Sequence, residues 1–250
     1  MRRSGSGDRV LVLLHGMGAN GAVWSRLLPI LDSRWSGRVL VPDLRGHGRS
    51  VQRGPYGIDT HAADVAALVA GPEAQSVILV GHSFGGAVML STVRAGKLGN
   101  AKRFVVSSPA LRLKVTVPAW KSSLAGVASR LAPRLAMDNE VNPAAVSRIP
   151  EVVEAYRTDP MVHSKISSRL YAEWSRAAAE NLERAGDIRI PFLILAGSAD
   201  PLVDPAGSAE LHRRSPAMSE LQILDGRYHE PFNDLGSDEV FGLVANWLRK

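Results

Sequence analysis

The chain has 250 residues, 45% hydrophobic and 22% charged, an ordinary globular composition that excludes disorder, collagen-like repeats and a disulfide-stapled miniprotein. Cysteine is absent, which removes a disulfide framework, a cysteine nucleophile and a thiolate metal site from consideration. Thirty Lys and Arg against 24 Asp and Glu give a net charge of +6, but the arginines are scattered from Arg2 to Arg249 among acidic residues and form no block, so no nucleic-acid partner is expected.

The opening MRRSGSGD leads into an apolar run over 10–14 that is too short for a signal-peptide core or a membrane span. No later run is long enough either, so a soluble, cytoplasmic protein is expected. Runs at 10–14, 38–41, 76–80, 103–106, 191–196 and 220–224 are apolar without alternation, the pattern of parallel strands covered on both faces. Between them, three- and four-residue apolar spacing predicts helices over 21–31, 60–70, 85–95, 205–214 and 238–249. The fold class is therefore α/β: a single domain over 1–250 with a mostly parallel six-stranded sheet flanked by helices.

From Ser107 to Asp187 about eighty residues pass without a convincing strand, too many for a simple crossover. They read as a helical cap inserted over 109–186. Trp120, Leu124, Val127 and Leu131 fall on one helical face after Pro118, and Asn142-Pro143 opens a short helix as N-cap and N1. Ile166, Leu170, Trp174, Ala178 and Leu182 repeat up to Gly186, read as a C′ glycine.

The chemistry concentrates where the run at 76–80 meets Gly81-His82-Ser83-Phe84-Gly85 and an apolar helix follows. A G-x-S-x-G between strand and helix is a nucleophile elbow, a turn so tight that its flanking positions must be glycine, and it makes Ser83 the candidate nucleophile. A serine hydroxyl needs a base, and the base needs a carboxylate to fix its tautomer. His212 lies inside a helix and reads as a solvated residue, whereas His229 follows the last strand at the carboxyl edge and is the candidate base. After the fifth strand, Asp200 is nearer the strand end and is the candidate acid. Asp204 precedes Pro205 as a helix N-cap.

The oxyanion formed on acyl attack needs backbone donors. Phe84 supplies one N–H, and the loop His15-Gly16-Met17-Gly18 suits Met17 as the second, with His15 organising that loop. Asp43 and His47 alone are too few ligands for a zinc site, so with Arg45 they read as a bracing turn, and no metal or cofactor is expected.

Together, His15 to Gly18, Asp43 to Ser50, Gly81 to Gly85, Ser107 to Leu113, Asp159 to Val162, Gly197 to Pro205 and Asp225 to Glu230 resemble the α/β-hydrolase superfamily, and within it the monoacylglycerol lipase and lysophospholipase-like group. The resemblance implies a cofactor-independent serine esterase that cleaves monoacylglycerols, with Ser83, Asp200 and His229 as triad and Met17 and Phe84 as oxyanion donors. It also implies a cap that forms an acyl tunnel and can touch a membrane or micelle surface. Leu111, Val115, Val117, Trp120, Leu124, Val127, Leu135 and Met137 are candidate tunnel residues. Members usually carry two further strands before the His-Gly loop, and nine residues before Val10 leave six parallel strands as the expectation here. A general carboxylesterase and a non-catalytic ligand receptor are the alternative functions.

Overall fold

The computed structural model of the chain describes residues 2–114 and 126–249, with side chains from residue 5 onward. Its strands are β1 Arg2–Ser4, β2 Arg9–Leu14, β3 Arg38–Val41, β4 Ser76–His82, β5 Ala101–Ser107, β6 Ala136–Asp138, β7 Lys165–Ser167, β8 Phe192–Gly197 and β9 Ser219–Leu224. The main sheet has the order β1-β3-β2-β4-β5-β8-β9. The six apolar runs pair in parallel throughout, as their composition predicts. β1 pairs antiparallel with β3 at the sheet edge, a strand that three polar residues do not announce.

The helices are α1 Leu28–Arg34, α2 Ile58–Leu68, α3 Phe84–Arg94, α4 Pro150–Thr158, α5 Ser168–Glu183, α6 Pro205–Arg214 and α7 Ser237–Arg249. Alternate strand residues feed two separate cores because successive side chains point to opposite faces. Val10, Val12, Leu14, Leu79, Phe104 and Ile194 pack with residues of α2, α3 and α5 on one face. Leu11, Leu13, Ile78, Val80, Val105 and Leu195 pack with α1, α7 and Trp24 on the other. β9 is the exception to two-sided burial: it is an edge strand, and Ile223 is exposed. No helix among the described residues is long and apolar enough to cross a membrane.

Several local expectations are corrected. The span 21–31 is not one helix but a 3-10 turn Gly21–Trp24, capped by Asn20, followed by α1, whose first turn contains Pro29. Between β5 and β8 the structure adds α4 and the antiparallel ribbon β6–β7. Ile166 therefore lies in β7, not on the helix that carries Leu170, Trp174, Ala178 and Leu182. Asn142 does cap a 3-10 turn Pro143–Ala145, its side chain accepting from the Ala144 N–H. Gly186 is not a left-handed C′ residue. Arg184 closes α5, and Gly186 sits within the 3-10 turn Ala185–Asp187. Val115, Val117, Pro118, Trp120 and Leu124 lie outside the described residues.

Candidate active site

A parallel sheet delivers the carboxyl ends of all its parallel strands to one edge, and the candidate groups collect there. β4 lies between β2 and β5, with Gly81 opposite Leu14 and His82 opposite Ser107. Ser83 follows at φ 52°, ψ −118°, a conformation that L residues rarely adopt and that turns the chain at once into α3. Its N–H donates to the Ser107 carbonyl at 2.9 Å, and its carbonyl accepts from Ala87 and Ala110, both at 3.1 Å.

The elbow glycines are required by space. A Cβ at Gly85 would stand 2.5 Å from the His15 carbonyl oxygen, and one at Gly81 would stand 2.9 Å from the Gly85 carbonyl oxygen and the Gly86 Cα. Gly16 is close as well, its ideal Cβ position being 3.3 Å from Ser83 Cβ. The Met17 loop thus lies directly against the elbow. The Phe84 N–H, in the first turn of α3, has no acceptor within the helix ladder.

The three candidate side chains meet although they are far apart in sequence. His229 Nε2 is 2.9 Å from Ser83 Oγ, and His229 Nδ1 is 2.8 Å from Asp200 Oδ2. An ionised carboxylate only accepts, so Nδ1 carries the proton toward Asp200 and Nε2 accepts from the serine hydroxyl. Ser83, His229 and Asp200 are all buried, at 7%, 6% and 2% exposure. Burial alone would push the Asp200 carboxyl up. His229, by charge and hydrogen bond, and the N–H groups of Val203 and Leu202 outweigh burial and hold it below the usual carboxylate range. Asp204 instead caps α6, accepting from the Ala206 N–H at 2.9 Å. His212 is partly buried, not simply solvated, with Nδ1 2.8 Å from the Ser219 hydroxyl.

The histidines near the candidate oxyanion loop organise it. His15 Nε2 accepts from the Leu44 N–H at 2.9 Å, which leaves Nδ1 to donate to the Gly16 carbonyl at 2.8 Å. Asp43 accepts from the N–H groups of Gly21 and Arg49, and Arg45 forks onto Asp64 with two bonds of 2.8 Å. The bracing reading of this turn accords with that geometry. His47 and His61 both meet the Phe84 ring.

Sequence reasoning missed several of the groups that hold these loops. His163 donates its backbone N–H to the Gly18 carbonyl at 2.9 Å, and its ring lies 5.0 Å from that of His47. Lys114 Nζ donates to the Asp200 carbonyl at 2.6 Å, and Arg148 pairs with Asp234, which also accepts from the Tyr228 N–H. None belongs to a recognisable motif, and only the pairing across the folded chain gives each its place. Of the candidate tunnel residues, Leu111 is in the core and Met137 packs partly against it, whereas Val127 and Leu135 are exposed, at 55% and 52%.

Burial lowers the His15 pKa to about 4, and it also lowers those of His47, His61 and His82. An unfolded chain takes protons on these rings near pH 6.5. Between that value and about 4 the unfolded state therefore binds more protons than the folded one, and stability falls as pH falls. Each such ring adds a slope of up to about 1.4 kcal/mol per pH unit. Chemical denaturation of His15→Gln across this window should show a shallower acid slope than the parent chain, and an unchanged slope would contradict the assignment.

The profile of the Hydrolase_4 family, described as serine aminopeptidase S33, matches residues 5–236. A monoacylglycerol lipase of Mycolicibacterium smegmatis is 31% identical over 224 residues, covering 84% of this chain and 77% of that protein. An uncharacterized abhydrolase domain-containing protein of Dictyostelium discoideum is 25% identical over 96% of this chain, which spans only 26% of that longer relative. The crystal structure of the Paleococcus ferrophilus monoacylglycerol lipase superposes with a TM-score of 0.92 at 27% identity, covering 99% of this chain and 96% of that one. The matched span takes in both the elbow and the two loops that face it, and the chain belongs to the Hydrolase_4 family of α/β-hydrolases, as a serine hydrolase of the carboxylic-ester type.

Proposed function

We propose that the chain is a monoacylglycerol lipase in which Ser83, His229 and Asp200 form the catalytic triad and the Met17 and Phe84 N–H groups receive the oxyanion. The observation that carries this reading is the unbroken hydrogen-bonded line from Ser83 Oγ through the His229 imidazole to Asp200 Oδ2, with spacings of 2.9 and 2.8 Å. A base in hydrogen-bond reach of a hydroxyl, itself oriented by a buried carboxylate, is the arrangement that makes a serine nucleophilic.

In the first half-reaction His229 Nε2 takes the Ser83 proton as Oγ attacks the ester carbonyl. Negative charge gathers on the carbonyl oxygen, where fixed N–H dipoles stabilise it more than they stabilise the ground state. The imidazolium then protonates the departing glycerol oxygen as the carbon–oxygen bond breaks. In the second half, water gives a proton to His229 and its hydroxyl to the acyl carbon, releasing fatty acid and restoring Ser83. The glycerol ester preference is supported by the names of the M. smegmatis and P. ferrophilus relatives.

Ser83→Ala should lower kcat by at least about 10⁴-fold with the fold intact, because only the oxyanion donors and binding remain. A fluorophosphonate probe should label the parent chain and not the variant. Monoacylglycerols should be hydrolysed with higher kcat/KM than p-nitrophenyl esters of the same acyl length or aminoacyl anilides. Equal rates on both ester types would make the chain a general carboxylesterase, and a preference for the anilides would make it a peptidase. Full activity in Ser83→Ala would overturn the triad.

We also infer contact with a lipid surface through the segment around 127–135. Val127, Leu131 and Leu135 are exposed there at 55%, 82% and 52%, with Arg130 and Arg134 interleaved. Apolar side chains beside cations are the composition that enters an anionic interface. Leu131→Asp should reduce co-sedimentation with phosphatidylglycerol vesicles by about tenfold, the loss expected for removing one buried leucine, while hydrolysis of a dissolved short-chain ester is unchanged. Undiminished sedimentation would exclude this surface.

A further inference from the structure

Beside the Ser83–His229–Asp200 line stands a buried ionisable group that the reaction does not use. Glu230 follows the base in sequence and is only 5% exposed. Its Oε2 accepts from Asn233 Nδ2 at 2.9 Å, and the same amide nitrogen donates to the Val23 carbonyl at 2.9 Å. The Glu230 backbone N–H donates to the Val146 carbonyl. The carboxyl is thus fastened through one amide to the turn that follows the oxyanion loop. Glu230 lines a gap with Val23, Trp24, His82, Phe232 and Asn233 that is too narrow to admit a water molecule. Trp24 Nε1 is buried without a hydrogen-bond partner among the described residues.

Asp200 bonds the His229 imidazole and Glu230 follows His229 in sequence, and the two carboxyls have opposite surroundings. Asp200 accepts two backbone N–H bonds and the imidazole N–H, all of which favour its charged form. Glu230 has one neutral amide. The titratable groups that face it are His229 on its own loop, His82 on the elbow and Tyr156 on α4, with no Lys or Arg among them. Burial raises the Glu230 pKa, against the smaller opposing effects of Asn233 and His229. A largely buried carboxylate with a single amide donor is costly, and protonation lowers that cost.

We propose that Glu230 stands beside His229 as a neutral carboxylic acid and acts as a positioning residue, seating the base loop against the Gly21–Trp24 turn without placing a second negative charge on the imidazole. A second charge would hold the imidazole protonated to higher pH and so reduce the fraction able to accept the serine proton. Its neutral state rests on burial and a single amide donor, and only its effect on catalysis rests on the triad proposed above.

Infrared spectra read the protonation state without any activity. At neutral pH the chain should show the carbonyl stretch of a buried carboxylic acid, and Glu230→Gln should lose it. Stability gives an independent sign. An acid whose folded pKa is raised contributes stability in full below its unfolded pKa and loses it as pH rises, so Tm of Glu230→Gln minus Tm of the parent should grow from about pH 4 to about pH 8. Glu230→Ala should lower kcat about tenfold with KM little changed, and Glu230→Gln should recover most of that loss, because the amide keeps the shape and the neutral charge.

An absent acid band, a pH-independent Tm difference, or a Glu230→Gln profile of kcat/KM whose acid limb moves down by about one unit would each show an ionised Glu230 and overturn the proposal. If Glu230→Ala does not fold, the spectra and the Gln variant decide alone. If esterase activity is absent altogether, the band and the Tm difference still test Glu230 while the triad reading fails separately.

Discussion

Ser83 is held at φ 52° by bonds on both sides of its peptide units, to Ser107 from its N–H and from Ala87 and Ala110 to its carbonyl. A non-glycine residue in such a conformation costs on the order of 1–3 kcal/mol, and it persists only where the surroundings over-determine it. Here they do. β4 is flanked by β2 and β5, so the turn cannot relax sideways, and the Gly85 and Gly81 positions have no room for a Cβ. The same crowding brings the Gly16-Met17 loop against the serine, so the groups suited to attack and to charge stabilisation are placed by one bend.

The chain between β5 and β8 is joined at two places to the loops that carry Asp200 and His229. Near its start, Lys114 donates through Nζ to the Asp200 carbonyl and through its backbone N–H to Leu202, while Asp204 donates its N–H to Arg112. Further along, the Ser147 hydroxyl donates to the Asn233 carbonyl and Arg148 forks onto Asp234. Asp234 in turn accepts from Tyr228, the residue before His229. The first contact therefore grips the Asp200 loop and the second grips the His229 loop. A charged pair with several bonds and a fully buried carboxylate is far more directional than an exposed salt bridge, so the Arg148–Asp234 contact fixes a position as well as adding attraction.

The parallel strands and the Ser83, Asp200 and His229 positions are legible because each is a local signal: an unalternated apolar run, a glycine-flanked serine, and a polar loop after a strand. The elements that escape are those made by pairing. Arg2–Ser4 is polar and becomes a strand only because β3 leaves an edge to complete, and Ile166 leaves its helical pattern because Met137 is available across a ribbon. Glu230, Asn233, His163 and Arg148 carry no motif either. Their roles depend on which carbonyl or carboxylate the folded chain brings within 3 Å or so, and residue type alone does not encode that.

Several arginines also take their places from pairing across the fold. Arg45 meets Asp64, Arg94 meets Glu180, Arg148 meets Asp234 and Arg227 meets Glu239, so these arginines join separate parts of the chain. Around Ser83 the neighbouring imidazoles are uncharged. His15, His47, His61 and His82 are buried with their pKa values lowered, so they fill space and direct hydrogen bonds as neutral rings. In the proposed reaction a permanent cation there would attract the developing oxyanion, but it would also lower the basicity of the imidazole proposed to take the serine proton. Neutral donors of fixed orientation serve the first need without harming the second, which is why backbone N–H groups at a tight elbow suit this chemistry better than side-chain charge.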